Sequence, residues 1–217
     1  MKRLKSLDPP HKGLRNALGK FSLLAGKTDY SSKESILHLQ EIGKEVFHLL
    51  KDHNHTENTY ILAPLEQRSP GFTADYLDDH GDIDKVENEL YERLLAFNGA
   101  QDNEEGHRFY LDFCEFHSSY LEHIDVEDLE LEEAMQAHFS DEELMQHQVE
   151  IMQAMPFETL LLWFKYIVPA RRPDENAQVL TGFKSAVPPN VYQQVLDLIQ
   201  SEIGEAELAK ILALVAA

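Results

Sequence analysis

Apolar residues recur every three or four positions along the first two thirds of the chain, which is the period of an amphipathic α-helix. Segments rich in Gly, Pro, Asn and Ser, such as QRSPGF at 67–72, interrupt this pattern. The alternation expected of a β-strand is absent from the sequence. The pattern therefore predicts an all-α protein with four long helices, over about 8–26, 31–64, 73–97 and 105–139.

Short-range signals predict where these helices begin and end. Asp8, which a proline follows, is typical of an N-cap residue before the first turn. Ser31 and Glu34 have the spacing of a capping box at the start of the second helix. Pro64 is expected to end or kink that helix, because proline has no backbone N–H and clashes with the preceding turn.

Four amphipathic helices bury their apolar stripes most simply as an antiparallel four-helix bundle. We therefore expect residues 1–139 to form such a bundle. Ser140 and Glu143 have capping-box spacing again, and prolines punctuate the shorter helical segments that follow. Residues 140–217 are expected to form a helical C-terminal extension packed on or beside the bundle. Its apolar run around Trp163 is more typical of a core than of a cofactor site.

Composition narrows the classes of function. The formal net charge of -20 argues against a nucleic-acid partner, since phosphate binding needs clustered cations. No apolar stretch is long enough to span a membrane, and the basic N-terminus lacks the apolar run of a signal peptide. We therefore expect a cytoplasmic protein. The single cysteine, Cys114, excludes an internal disulfide and a cysteine-based zinc site, and we expect it to be a buried structural thiol.

The 11 histidines are the unusual feature of the composition, and their positions indicate chemistry. His53 and Glu57 are four residues apart, so they share one helical face, and that face continues the apolar stripe from Leu50 to Tyr60. Burying two ionisable side chains is costly unless they are paired or coordinate a metal. The second helix is therefore expected to direct a histidine and a carboxylate into the core.

Each of the other predicted helices places a histidine on or near its apolar stripe. The fourth helix repeats the four-residue spacing of histidine and glutamate, and the third carries its histidine near a stripe that includes Tyr76, Ile83 and Val86. Histidine with carboxylate suits iron, zinc, manganese or copper. The alternative is a metal-free core in which the two glutamates pair with the histidines. The six candidate metal ligands are His11, His53, Glu57, His80, His123 and Glu127.

Four segments, PHKGLRNAL, LLKDHNHTENTYIL, DDHGDIDKVENEL and YLEHIDVEDLEL, resemble the metal-bearing segments of hemerythrin-like (HHE cation-binding) domains of the bacterial type. Their order is that of the family: His, His-x-x-x-Glu, His, His-x-x-x-Glu. The resemblance covers about residues 8–136, and the C-terminal extension is similar to tails on bacterial members. It implies a cofactor of two iron ions, oxo- or hydroxo-bridged, with zinc or manganese as alternatives.

The resemblance also implies how the ligands are shared. His11 and His53 would bind one metal and His80 and His123 the other, with Glu57 and Glu127 bridging the pair. The sequence departs from the oxygen-carrying members on the third helix, where His80 is followed four residues later by Asp84 instead of a second histidine. Asp84 is a weak candidate ligand. The missing histidine favours redox sensing or reactivity over plain oxygen carriage.

The expected function is that of a di-iron protein that binds or senses dioxygen, nitric oxide, peroxide or iron, with enzymatic activity and any protein partner left open. Tyr60 and Tyr120 lie within about one helical turn of the ligands and are candidates to gate the pocket or to form a hydrogen bond in it; the alternative is a packing role. His117 is a candidate for a supporting partner. One alternative is a metal-free helical interaction module. Another is a ferritin-like iron store or oxidase, but the required Glu-x-x-His motifs lie opposite the apolar stripes, at Glu45/His48 and Glu104/His107.

Overall fold

The computed structural model describes residues 3–216, and within that range the chain is helical with no β-strand, so the predicted all-α class is confirmed. Residues 1–2 of the N-terminal segment, for which we expect no signal peptide, and residue 217 lie outside it. None of the described helices has the length and apolarity needed to cross a membrane. The helices are α1 (Asp8–Lys27), α2 (Lys33–Glu57), α3 (Ala63–Arg68), α4 (Ala74–Ala96), α5 (Asn103–Val126), α6 (Glu132–His138), α7 (Asp141–Ala154), α8 (Phe157–Ile167), α9 (Pro173–Ala186), α10 (Pro189–Ile203) and α11 (Glu205–Val215).

Two of the predicted N-caps are wrong by one residue. Asp8 is the first residue of α1 itself, and Leu7 precedes it without a side-chain cap. The hydroxyl of Ser32, and not that of Ser31, accepts the backbone N–H of Ser35 and caps α2. Serines at neighbouring positions offer the same local chemistry, so only the path of the chain selects between them.

The predicted capping box at the start of α7 is confirmed. The backbone N–H of Ser140 donates to the Glu143 carboxylate, and the backbone N–H of Glu143 donates to the Ser140 hydroxyl. These two bonds satisfy donors that the first turn of a helix leaves without intrahelical acceptors.

The second predicted helix does not end at Pro64. A turn of π-helix, π1 (Asn58–Leu62), joins α2 directly to α3, and Pro64 is the second residue of α3. The wider turn already displaces the regular α-helical hydrogen bonds there, so the missing proline N–H is accommodated. A second turn, π2 (Glu127–Leu131), joins α5 to α6 in the same way.

The chain divides into two compact units. The first comprises the residues up to Asp8 together with Ala17–Ala154, and the second comprises Pro9–Asn16 together with the residues from Met155 onward. The division after Ala154 lies later in the chain than the domain boundary at 139 that the sequence suggests. Helix α1 contributes residues to both units.

Helices α2 and α4 of the first unit run antiparallel. Near the start of α2, the Gln40 side-chain amide donates to the Leu94 carbonyl over 2.9 Å. Near its end, the Asn54 amide donates to the Asp84 carboxylate over 2.8 Å. Because later residues of α2 meet earlier residues of α4, the two helices point in opposite directions.

Helices α4 and α5 also run antiparallel. Arg93 and Asp112 form an ion pair of 2.6 Å near the end of α4, while the rings of His80 and His123 lie 5.0 Å apart near its start. The three helices therefore bring the first half of α4 against the ends of α2 and α5, where the predicted ligands lie.

Aromatic rings fill the part of the first unit that lies before the ligand positions on α2. The ring centroid of Phe21 lies 4.6 Å from that of Phe113 and 6.1 Å from that of Phe47. Gly43 permits this packing, because a side chain there would overlap Leu94 and press on Phe21. We call this group the aromatic core; it comprises Phe21, Tyr30, Phe47, Phe97, Phe109 and Phe113.

An aliphatic cluster closes the other side of the ligand positions. The N-terminal segment covers it, because the backbone N–H groups of Ser6 and Leu7 donate to the Glu132 carboxylate over 3.2 and 3.0 Å. On α2–α3 and α5–α6 the ligand positions therefore lie between the aromatic core and this cluster. Its buried residues are Leu7, Ile61, Leu62, Leu65, Tyr76, Leu131, Met135, Phe139 and Leu144.

The second unit has an apolar core of its own. Lys12 forms an ion pair of 3.1 Å with Glu175, and the Asn16 amide donates to the Tyr166 carbonyl, which ties residues 9–16 to the later helices of this unit. Prolines begin α9 and α10, as the sequence suggests. The core residues are Phe164, Val168, Ala177, Leu180, Phe183, Val195, Ile199, Leu208 and Ile211.

Candidate metal centre

Both His-x-x-x-Glu motifs end where a π turn begins. The motif His53–Glu57 continues in steps of four residues to Ile61 and Leu65, and all four side chains are buried. A regular α-helix rotates about 400° over four residues, so four such positions would drift around the axis. A π turn has more residues per turn and corrects this drift. The π turn therefore keeps the ligands and the aliphatic cluster on one face.

The second motif follows the same pattern. His123 and Glu127 continue in steps of four to Leu131 and Met135, and π2 begins at Glu127 itself. The run of four-residue steps is visible in the sequence at both places, and it is the signal that could have predicted the two π turns.

The candidate ligands are almost fully enclosed. Glu127 and His11 have no exposed surface, Glu57 and His80 are 1% exposed and His53 is 3% exposed. The His123 side chain, predicted nearer the edge of its stripe, is 7% exposed. Side chains of these types are seldom buried to this degree without a partner of opposite charge or a metal.

The two carboxylates face the histidines at short distances. Glu57 Oε2 lies 3.3 Å from His53 Nε2 and 3.6 Å from His80 Nε2. Glu127 Oε1 lies 3.2 Å from His80 Nε2 and 3.1 Å from His123 Nε2. His80 thus lies between the two carboxylates, and each carboxylate faces two imidazoles.

The ligand atoms form two overlapping groups, in each of which all atoms lie within 4.8 Å of one another. One group contains His80 and His123, the other contains His11 and His53, and both contain Glu57 and Glu127. This buried cluster of histidine and glutamate could hold a metal ion.

The hydrogen bond between His80 and Asn58 determines which nitrogen of the His80 ring is available to bind a metal. Nδ1 lies 2.8 Å from Asn58 Oδ1, an oxygen that only accepts, so Nδ1 carries the proton. In the neutral ring, Nε2 then presents a lone pair toward oxygens of Glu57 and Glu127. A lone pair facing two carboxylates is repulsive unless a cation lies between them. A metal ion or a proton on Nε2 would remove this repulsion, so the residues fit a metal.

The electrostatics of Glu127 support the same conclusion. Burial raises the pKa of its carboxyl group, but hydrogen bonds from His123 and from His80, which require a proton on Nε2, outweigh burial and hold the pKa well below its usual range. Glu127 therefore stays ionised in the interior. An ionised, buried carboxylate with imidazole nitrogens around it is a ligand set that suits a divalent or trivalent cation.

The structure excludes Asp84 from both ligand groups. Its side chain is exposed, and its carboxylate accepts the Asn54 amide. The sequence-based stripe of α4 is wrong at Val86, which is 45% exposed, while the neighbouring Glu87 is buried. Burial raises the pKa of Glu87 to about 8; Asp84 adds to this shift and Lys51 opposes it. Sequence reasoning missed Glu87, because an acidic residue beside a valine is usually assigned to the solvent face.

The two tyrosines near the ligands differ in burial. Tyr60 is partly exposed, whereas Tyr120 is fully buried and burial raises the pKa of its phenol well above the usual value. His117 belongs to neither ligand group; its Nδ1 lies 2.9 Å from the Ser22 hydroxyl, and burial lowers its pKa. Cys114, expected to be buried, is partly exposed.

The remaining histidines and the Glu-x-x-His motifs lie away from the candidate ligands. His48, Glu104 and His107 are exposed and Glu45 is partly exposed, as their helical phase predicts. No ferritin-like ligand pair therefore points into the core from these motifs.

No family model, curated protein or solved structure matches the chain. The likeness to hemerythrin-like domains accordingly stays a prediction from the residues themselves, and the case for a metal rests on the buried cluster.

Proposed function

We propose that α1, α2–α3, α4 and α5–α6 form an antiparallel four-helix bundle of the hemerythrin-like type. In this proposal the bundle holds two iron ions and binds or senses a small ligand such as dioxygen, nitric oxide or peroxide. The observation that carries the proposal is the position of His80, whose Nε2 faces Glu57 and Glu127 while Asn58 engages Nδ1. A cation is the simplest partner for this arrangement.

Two ions fit the ligand set better than one. The two groups of ligand atoms share both carboxylates, and each group adds a different pair of histidines. His11 and His53 would hold one ion and His80 and His123 the other, with Glu57 and Glu127 bridging. Four imidazoles with two bridging carboxylates particularly suit a pair of irons, although zinc and manganese accept the same ligands.

A bound iron pair would supply a change of oxidation state and an open coordination position. The residues of the chain supply the surroundings. Asn58 orients the His80 ring, the aromatic core and the aliphatic cluster exclude water, and the π turns direct both carboxylates inward. Asp84 points away to Asn54, so the His80 side has fewer protein ligands than an oxygen carrier. This favours sensing or reactivity over carriage.

The metal-free alternative replaces the cations with protons. His80 as an imidazolium would satisfy both carboxylates and leave a polar core without metal, consistent with a helical interaction module. A ferritin-like store or oxidase has less support, because its Glu-x-x-His motifs lie on the surface or half-buried.

Metal analysis of protein purified from iron-replete cells tests the proposal. We expect two iron ions per chain and an absorption spectrum that changes on reduction and returns on exposure to air. Glu57→Gln keeps the shape of the side chain but removes its charge, so this variant should lose at least one ion while remaining helical.

The matched control is Glu41→Gln, which changes an exposed carboxylate of the same helix and should keep both ions. Folded wild-type protein that is metal-free after iron-replete expression would reject the proposal in favour of the protonated core. Equal metal loss in both variants would show that Glu57 has no special role.

A further inference from the structure

Tyr120 occupies a position on α5 one turn before His123. Its side chain has no exposed surface, and its ring lies 5.7 Å from that of Phe116 and 5.8 Å from that of His123. Within the described part of the chain, its hydroxyl has no hydrogen-bond partner. A buried hydroxyl without a partner destabilises a protein, so this group indicates that something else completes its hydrogen bond.

The candidate ligands also act on the hydroxyl electrostatically. Among the charges that act on the phenol, Glu127 has the largest effect and Glu57 the next, ahead of Glu87 and Asp84. The two carboxylates shared by both ligand groups therefore act more strongly on the phenol than Glu87 or Asp84 does. As a neutral O–H, it is a hydrogen-bond donor, whereas the two carboxylates that act on it are acceptors.

Glu127 Oε1 already faces two imidazoles, at 3.1 and 3.2 Å from His123 Nε2 and His80 Nε2. A phenol donor beside a metal centre is complementary to a ligand that brings an acceptor atom. A neutral apolar gas gains little from such a donor, whereas an anion gains a charge-assisted hydrogen bond.

We infer that the Tyr120 hydroxyl donates a hydrogen bond to a small anionic ligand, of the class of azide or peroxide, bound at the metal centre. This inference rests on the proposed function, since it requires metal in the cluster. It makes Tyr120 a residue that selects among ligands, favouring those with an accepting atom beyond the atom that binds the metal.

Azide titration of the iron-loaded protein tests the role of Tyr120. Tyr120→Phe removes the hydroxyl and retains the ring. We expect unchanged metal content and an azide affinity lower by about tenfold, which corresponds to about 1.4 kcal/mol. The absorption band of the azide complex should also shift, because the bound anion loses a hydrogen bond.

Tyr30→Phe is the matched control. Tyr30 is also buried, but its hydroxyl donates to the Ala25 carbonyl within the aromatic core. This variant should bind azide as the wild type does. Azide affinity of Tyr120→Phe within twofold of wild type, with both ions present, overturns the inference and leaves the metal centre intact. Absence of metal from the wild type overturns the proposed function and this inference with it.

The melting temperature of the metal-free protein provides a second readout. Phenylalanine at position 120 removes a polar atom that has no partner, so the metal-free variant should melt at the same temperature or higher. A lower melting temperature would mean that the hydroxyl has a partner in the protein itself, which also overturns the inference.

Discussion

The aromatic core and the cluster of Glu57, His80, His123 and Glu127 both belong to the first unit but are stabilised in different ways. In the aromatic core, rings meet edge to face, and Gly43 lets the helices approach closely. In the ligand cluster, Glu57 and Glu127 are buried with imidazole nitrogens 3.1–3.3 Å from their oxygens. The first region is complete with the chain alone, whereas the second could hold a metal ion, which we propose completes it.

The backbone differs between the two regions as well. Through the aromatic core α2 and α5 are regular α-helices, and both change to a π turn at the ligand carboxylate. A π turn is an uncommon departure from the regular helix and is frequent at functional sites. The comparison shows that the π turns and the buried carboxylates, Glu57 and Glu127, lie at the same positions along the helices.

Metal removal should have the largest effect on stability. Ions that bind only the folded state stabilise it by about 4 kcal/mol per site when free metal is a thousandfold above Kd. We expect chelation to lower the melting temperature and to increase amide hydrogen exchange most near His11 and His80. Exchange in the aromatic core should change less.

Two results would contradict the expected difference between the ligand cluster and the aromatic core. Superimposable melting curves of the loaded and metal-free forms would show that the cluster does not bind metal in the folded protein. A uniform increase in exchange, equal at Phe113 and at His80, would show that the two regions are not independent.

Truncation within the aromatic core should have the next largest effect. Phe113 has no exposed surface and contacts Phe21, Phe47 and Phe116, so Phe113→Ala should destabilise the protein by about 3–4 kcal/mol. Denaturant unfolding measures this loss. At temperatures where the variant is folded, it should still bind two ions, because its ring belongs to the other region. Loss of metal from the folded variant would contradict the separation.

A smaller effect, dependent on pH, is expected at Glu87. Its pKa is raised from 4.5 to about 8 by burial, so the folded state favours the neutral acid. A raised carboxyl pKa lowers stability as pH increases from the unfolded value of 4.5 to about 8, because only the unfolded chain ionises freely in that interval. Glu87→Gln removes this dependence.

The difference in unfolding free energy between Glu87→Gln and wild type should therefore grow by about 3 kcal/mol from pH 5 to pH 7.5 in favour of the variant. Denaturant titrations at the two pH values measure it. Asp84 and Lys51, which act on Glu87 in opposite directions, are present in both proteins and cancel in the comparison. A difference that does not depend on pH would contradict a raised pKa.

Much of the first unit could be predicted from the sequence because helical periodicity is a local property. The four long helical segments, the inward faces of His53 and Glu57 and of His123 and Glu127, and the exposure of the Glu-x-x-His motifs all follow from rotation by about 100° per residue. The four-residue steps that extend past each glutamate also contain the signal for the π turns.

Only the tertiary structure decided which side chains meet across the helices. Asn58 engages His80, Asn54 engages Asp84, and Glu87 is buried in place of Val86. Periodicity specifies the face on which a residue lies, but the partner depends on the axial register of neighbouring helices, which no single helix contains. The burial of the candidate ligands could be predicted from the sequence because they lie on or near apolar faces, where a polar group is out of place. Their partners were not, because asparagine, aspartate and glutamate at the edge of a stripe look the same in a sequence whether they face water or one another.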